Sequence, residues 1–468
     1  MKFTHLHVHS HYSILDGMSK VPDLIEKCMK NGMTSMALTD HGNMFGIKDL
    51  KDSANSFNSK PKKKVSECKE NIAKEKAIIE SDEKSDEEKE KAKARLADLE
   101  AELPKLEEKL NNFVPFKPII GIEAYCARRT LYDHDKNYKI FSAERGKEII
   151  VDRSGWHLIL LAKNKKGYQN LCKLASIAYI DGFYDRPRID KNVLKQYHEG
   201  LIVCSACLGG ELPQLIMAGK IDEAEKTILW FKEVFGDDYY IELQRHKTDK
   251  PNAETTTYEK QQKVNPILTE LERKTNTKIV ATNDVHFVEE EHGEAHDRLI
   301  CLSTGKDYND PNRLHYTKQE WLKTPEEMEA IFGDIPEALE NTQEIVEKIE
   351  DYAIDSGPIM PMFDIPKDFG TVEEYKKKFT EQELFDEFTR NEKGEVVLSQ
   401  EDAEKKIKKL GGYEKLYRIK LEADYLAKLT WEGARKRYGD NLTDEQKERI
   451  IFELHVRKTM GFPGYFLI

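Results

Sequence analysis

Residues 3–9 read F-T-H-L-H-V-H, with His5, His7 and His9 at every second position. Side chains of an extended chain alternate between two faces, so this spacing predicts a strand that projects three imidazoles to one side. Four other short apolar runs end in groups that ligate metals: 36–41 (M-A-L-T-D-H), 119–123 (I-I-G-I-E), 202–207 (I-V-C-S-A-C) and 279–286 (I-V-A-T-N-D-V-H). His157 opens a further run, H-L-I-L-L-A. One histidine at a strand end carries little information. Ligand-type residues at the edges of six strands predict one polynuclear metal site at the rim of a parallel barrel or sheet.

Working outward, strands are predicted at 34–39, 118–126, 157–163, 200–205, 239–244 and 278–283, with the first ending near His9. Helical patterns fall at 20–31, with Ser19 as its cap and Gly32 just past its end, and at 166–180, 221–235 and 257–275. Seven strands alternating with helices predict an α/β barrel or a doubly wound sheet. Ligands gather at the carboxyl ends of the strands in either fold. His157 stands at the front of its run and fits that rule less well.

Residues 59–112 break the rhythm. Ala92, Leu96, Leu99, Leu103, Leu106, Leu110 and Phe113 recur at spacings of four and three, a heptad seam. Val65, Cys68, Ile72 and Ile79 form a looser stripe upstream, and Ser85 with Glu88 fits a capping box. This predicts an inserted coiled-coil hairpin of two antiparallel helices, about 59–113, bent at Pro104. It either packs on itself or docks a partner. From about 290 the pattern is mainly helical, with loops at 355–368 and 390–396 and a turn at 391–394 (N-E-K-G). The last residues, M-G-F-P-G-Y-F-L-I, read as a strand-like run and suggest a piece of a longer protein.

The 468 residues leave room for two or three domains. A net charge of -12 with 34% charged residues argues against coating nucleic acid by bulk charge, though a local basic groove remains open. No apolar run reaches the length of a membrane span, and the start lacks the order of a signal peptide. Seven scattered cysteines do not form a disulfide framework. These features predict a soluble, reduced, cytoplasmic protein with no membrane partner.

Imidazole, carboxylate and thiolate suit zinc and neighbouring transition metals. Asp16, Glu123 and Asp284 supply the carboxylates that a multi-ion cluster needs to offset charge and bridge ions. Metals about 3.5–4 Å apart suit phosphate-ester hydrolysis. Cys204 and Cys207 form a C-x-x-C, but the motif follows a strand and has no second copy, which disfavours a redox pair.

This ordered set resembles the PHP (polymerase and histidinol phosphatase) family. Residues 5–17 (H-L-H-V-H-S-H-Y-S-I-L-D-G), 37–46 (A-L-T-D-H-G-N-M-F-G), 167–171 (G-Y-Q-N-L), 187–190 (P-R-I-D) and 281–287 (A-T-N-D-V-H-F) are similar to one branch. That branch is the N-terminal region of the bacterial DNA polymerase III alpha-subunit family. D-P-N-R-L at 310–314, L-K-T-P-E-E-M at 322–328, P-E-A-L-E-N-T at 336–342 and the 460–468 run are similar to the stretch entering its polymerase palm. The resemblance implies a distorted (β/α)7 barrel over 1–289, with the hairpin inserted. It implies that 290–468 is the start of the palm region, ending before the polymerase carboxylates and their magnesium ions.

The resemblance also implies three divalent metal sites, filled by zinc, manganese or iron. His7, His9, Glu123 and Asp284 would hold one ion; Glu123, His157 and Cys207 a second; Asp16, His41 and His286 the third. His5 would support a ligand, and Arg188 and His246 are candidate phosphate contacts. Primer–template DNA and the other replicase subunits, a proofreading subunit and a sliding clamp, are the implied partners. The implied activity is 3′–5′ exonuclease proofreading, with polymerisation left to the missing part. Two other readings stay open: ions that only staple the fold, and a free-standing PHP phosphatase, against which the 310–342 and 460–468 matches argue.

Overall fold

The strand–helix alternation builds one curled sheet in the computed structural model, which describes residues 2–81, 84–137, 139–142, 147–356 and 361–468. The strands run in the order Ser35–Leu38, Lys117–Cys126, Trp156–Ala162, Leu201–Cys204, Tyr239–Leu243 and Lys278–Ala281. The short strand Arg188–Ile189 also pairs with Lys117–Cys126. Neighbours are parallel except at Trp156–Ala162, which is antiparallel to both of its neighbours. The expectation of an all-parallel sheet is corrected here. A parallel return needs a crossover helix, and the described residues between 126 and 156 form only a two-stranded ribbon and the single turn Val151–Ser154.

Residues 5–9 lie between the two ends of this sheet. Ala37 N donates to His5 O (2.9 Å) and Thr39 N to Val8 O (2.8 Å). On the other side His9 N donates to Val285 O (2.7 Å) and Val285 N to His7 O (3.1 Å). The segment is not a regular strand, because its backbone bends at His7. The strict alternation expected of the three histidines therefore fails at His5.

Period-two alternation otherwise sorts the strands. Ala37, Ile119, Ile159, Leu161, Ile202, Tyr240 and Val280 face a shared interior with Leu6. Met36, Leu38, Ile120, Ile122, Leu158, Leu160, Val203 and Ile241 face the outer helices. Helix Pro336–Lys348 sends Ile345 into the interior cluster, followed by Ile349. The valine, leucine, isoleucine and methionine side chains among these contribute about 1.5–3 kcal/mol each by burial. Fully apolar at one end, the interior turns polar at the other, where Glu123, His157 and Glu242 occupy the inward positions.

Helix Val21–Lys30 starts two residues after Ser19, with Pro22 in its first turn and no side-chain cap, so Ser19 is not the cap. Gly32 follows its end at φ +74°. Helix Ile47–Glu80 begins in the core with Ile47, Leu50 and Ala54, then continues outward as one arm of a hairpin with Asp86–Asn111. The Ser85–Glu88 capping box is present. The hairpin's turn includes residues 82–83, which lie outside the described set.

The chain divides into two compact units, Met1–Ile354 and Asp355–Ile468. The second is helical, with a core that includes Leu384, Phe388, Leu416 and Leu421. Its N-E-K-G turn closes with Lys393 N and Glu395 N donating to Asn391 Oδ1 (3.0 and 2.8 Å). The closing run is not a strand: Pro463–Leu467 is a short helix. Part of the loop expected at 355–368, residues 357–360, lies outside the described residues. Among the described residues no helix is long and apolar enough to cross a membrane.

Candidate metal centre

The antiparallel strand resolves the position of His157. Running against its neighbours, Trp156–Ala162 presents its first residues at the rim where the parallel strands end. Register places His157 opposite Tyr125, two residues beyond Glu123. A close approach by Gly209 makes room for the ring, since a Cβ there would stand 3.0 Å from it. Three other candidate ligands sit at strained turns. Asp284 has φ +48°, Ala206 before Cys207 has φ +65°, and Leu15 before Asp16 has φ +62°. Non-glycine residues adopt such angles at a cost and cluster where a turn must aim a functional side chain.

All nine candidate ligands converge on one buried centre, with Glu123 in the middle. His7 Nε2 lies 3.1 Å from His9 Nε2 and 3.1 Å from Asp284 Oδ1. His9 Nε2 is 3.2 Å from the same Asp284 oxygen. Glu123 Oε1 is 2.9 Å from His157 Nδ1, 3.4 Å from His7 Nε2 and 3.9 Å from Cys207 Sγ. The other Glu123 oxygen meets His41 Nδ1. His41 Nε2 is 3.1 Å from Asp16 Oδ2, and His286 Nε2 is 3.8 Å from Asp16 Oδ1. The tightest groupings of ligand atoms are His7, His9 and Asp284; Glu123, His157 and Cys207; and His9, His41 and His286. In the last of these His9 stands where the sequence reading put Asp16.

The electrostatics call for cations. Burial opposes protonation of His7, yet Asp284, Glu242 and Glu123 outweigh it and raise its pKa well above the usual value. Burial likewise opposes ionisation of Glu123, but His157 and His41 hold it well below the carboxylate range. His9 behaves oppositely: burial, with His41 and His286 beside it, lowers it to about 3. Its ring is therefore neutral, with a lone pair to offer. His7 Nδ1 faces Glu242 Oε1 at 2.7 Å. If a bound cation took the place of its second proton, His7 would keep Nδ1–H donating to Glu242 and turn its Nε2 lone pair inward. Among the described residues, Asp284 Oδ1, His41 Nε2 and His286 Nε2 are buried and make no well-formed hydrogen bond despite these close approaches. Ligand-type nitrogen, oxygen and sulfur atoms packed this closely fit bound divalent metals, and the N, O and S donor set suits zinc, manganese or iron.

Two of the three accessory candidates, His5 and Arg188, are engaged elsewhere. His5 Nε2 is 2.8 Å from Lys323 O, and burial lowers its pKa to about 4. Arg188 is fully buried and donates to the carbonyls of Gly182, Asp133 and Leu131 (3.1, 3.0 and 2.6 Å). His246 does reach the centre. It lines, with Gln244, Gln261, Tyr316 and Glu320, a cavity of about 60 Å³ that also borders His41, Glu123, His157 and Asp284.

Sequence reasoning missed Glu242, which orients His7, and Ser13, whose Oγ is 3.1 Å from His9 Nδ1. It also missed Tyr316, whose hydroxyl donates to Asp16 Oδ1 at 2.8 Å. For Glu242 a signal existed: an acid in the middle of an apolar strand, I-E-L at 241–243.

Comparison with known proteins follows the same lines. The PHP domain model matches residues 5–246. A model described as the bacterial DNA polymerase III alpha NTPase domain matches residues 424–468. The DNA polymerase III subunit alpha of Borreliella burgdorferi is 36% identical over 469 residues, covering 100% of this chain and 30% of that protein. The same-named protein of Treponema pallidum is 33% identical, with 100% and 29% covered. That of Thermus aquaticus is 31% identical, with 100% and 33% covered. The chain thus spans about a third or less of the length of these relatives.

Proposed function

The chain belongs to the PHP domain family, and on that premise we propose that its rim site is a metal-dependent phosphodiesterase that removes nucleotides from the 3′ end of DNA. The observation that carries this reading is the convergence of three ligand groups on one shared carboxylate, Glu123, beside a cavity. His7, His9, Glu123 and Asp284 are assigned to one ion, Glu123, His157 and Cys207 to a second, and Asp16, His41 and His286 to a third. Bound divalent ions supply Lewis acidity and lower the pKa of water.

The chain's own residues do the rest. Glu123 presents one oxygen to each side of the centre and holds its parts in register. Glu242 fixes the His7 ring, so that only Nε2 faces inward. Gln244, His246 and Tyr316 line the cavity and offer polar contacts to a phosphate group. Residues 1–289 would carry this activity, with the hairpin as an insertion. Residues 290–468 would lead toward a polymerase palm. For the longer protein we propose DNA synthesis on a primer–template in bacterial replication, with a clamp and a proofreading subunit as partners.

The test uses a 3′-labelled primer with manganese or zinc. Wild type should release nucleotides; His9→Ala and Asp284→Asn should lose the activity together, by at least about 100-fold. Absence of release from a chain with its metals bound would favour ions that staple the fold. Turnover of a small phosphate ester with indifference to DNA would favour a phosphatase.

A further inference from the structure

We propose that His296 and Tyr316 are positioning residues that hold Asp16 for the third ion, so that the metal centre is completed by residues beyond the segment matched by the family model. The inference rests on the reading of Asp16 as a ligand.

Asp16 follows a left-handed residue on an irregular turn, and among the described residues its carboxylate is shared in two directions. Oδ2 faces His41 Nε2 at 3.1 Å, toward the centre. Oδ1 accepts from the Tyr316 hydroxyl at 2.8 Å and lies 3.8 Å from both His296 Nε2 and His286 Nε2. A carboxylate pinned at one oxygen presents the other in a fixed direction, which is how an outer partner orients a ligand.

His296 is completely buried, and among the described residues neither ring nitrogen has a hydrogen-bond partner. A buried imidazole left so needs an explanation. The Asp16 oxygen that Tyr316 already holds lies 3.8 Å from His296 Nε2, within a small side-chain shift of a hydrogen bond. The His296 and Tyr316 rings meet edge to face at 4.8 Å. Their carriers are clamped together next door: Arg313 makes a two-pronged ion pair with Asp297 at 2.5 and 2.7 Å. This ties helix Gly293–Thr304 to the loop that carries Tyr316. Residues 296 and 316 both lie outside the 5–246 range of the PHP match.

The experiment measures metal retention by the full 468-residue chain, loaded with manganese or zinc and titrated with a chelator. Cobalt substitution gives a spectroscopic signature of the site. Asp16→Asn is the reference and should lose one ion early. His296→Leu and Tyr316→Phe should release that same ion at a chelator concentration about 10–100-fold lower than wild type. His296→Gln, whose amide N–H can take the place of Nε2, should restore most of the retention. If Asp16→Asn loses an ion while His296→Leu and Tyr316→Phe titrate like wild type, the inference is overturned and the site reading survives. It is also overturned if His296→Leu loses all ions together with its melting transition. If Asp16→Asn keeps its full metal content, the assignment of Asp16 itself fails, and this inference with it.

Discussion

At the scale of single residues, the centre is a problem of charge balance. Glu123, Asp284, Asp16 and Glu242 are brought together in a protein interior, which no sequence tolerates without compensating positive charge. Most of the nine candidate ligands could be suspected from ligand-type residues at strand ends, where side chains of known type have known direction, and the full set came from the family resemblance. Arg188 shows the limit of that reasoning. P-R-I-D looks like an exposed loop with a free cation, yet the guanidinium is consumed by three backbone carbonyls. His296 was invisible because nothing in a helical pattern distinguishes a histidine facing a distant acid such as Asp16 from one facing water. Lys323 was equally unreadable. It is buried over the Trp321 ring with Nζ 3.3 Å from the ring centroid. Burial lowers its pKa to about 7, against the opposing pull of Glu320 and Glu327.

That shift has a sign. Between about pH 7 and the ordinary lysine value, the unfolded chain holds a proton that the folded chain has lost, so Lys323 makes stability rise with pH across the window. Below it both states are protonated and the penalty is complete. Lys323→Met removes the dependence. The stability of the variant relative to wild type should be greatest near pH 6.5 and fall steadily toward pH 10, read from urea denaturation at fixed metal. A difference that stays flat with pH would mean the lysine is not buried as a cation.

At the scale of elements, strand and helix positions were legible because apolar periodicity survives any tertiary context. Strand direction was not, since the same residues serve a parallel or an antiparallel strand. The connection decides it, and the connection before Trp156 has no crossover helix. The hairpin was legible from its heptads, and its seam leucines Leu96, Leu99, Leu103, Leu106 and Leu110 are half-buried, as two helices without a third must leave them. Its root is fastened to the barrel by a reciprocal pair: Asn58 Nδ2 donates to Phe116 O (2.9 Å) and Phe116 N to Asn58 Oδ1 (2.8 Å). Beyond that point the two helices bury surface mainly against each other. Replacing residues 64–108 by a short glycine-rich turn should leave the barrel's melting temperature within a few degrees and its metal content unchanged. Loss of ions in that variant would show that the arm supports the centre.

At the scale of the whole molecule, packing and pattern part company. The alternation of strands and helices ends near residue 289, yet the first compact unit continues to Ile354. Residues beyond 290 plug the apolar end with Ile345 and Ile349 and flank the polar end with Tyr316 and Glu320. A barrel this polar at one rim should depend on its ions for stability. Chelation of the loaded chain should lower its melting temperature, since ligand at about 100 times its dissociation constant adds about 2.7 kcal/mol. Glu123→Gln should abolish that dependence on added metal, because every group of ligands borders this carboxylate.

The backward strand has one more consequence. Glu123 and His157 project from the same face of two paired strands in a rigid ladder, whereas Asp16 hangs from a turn and must be steadied by distant neighbours. Vacancies should therefore fill in sequence, the ladder-built position first and the turn-built one last. Cobalt added in less than one equivalent would then report a sulfur-to-metal absorption band from Cys207 before any other signal.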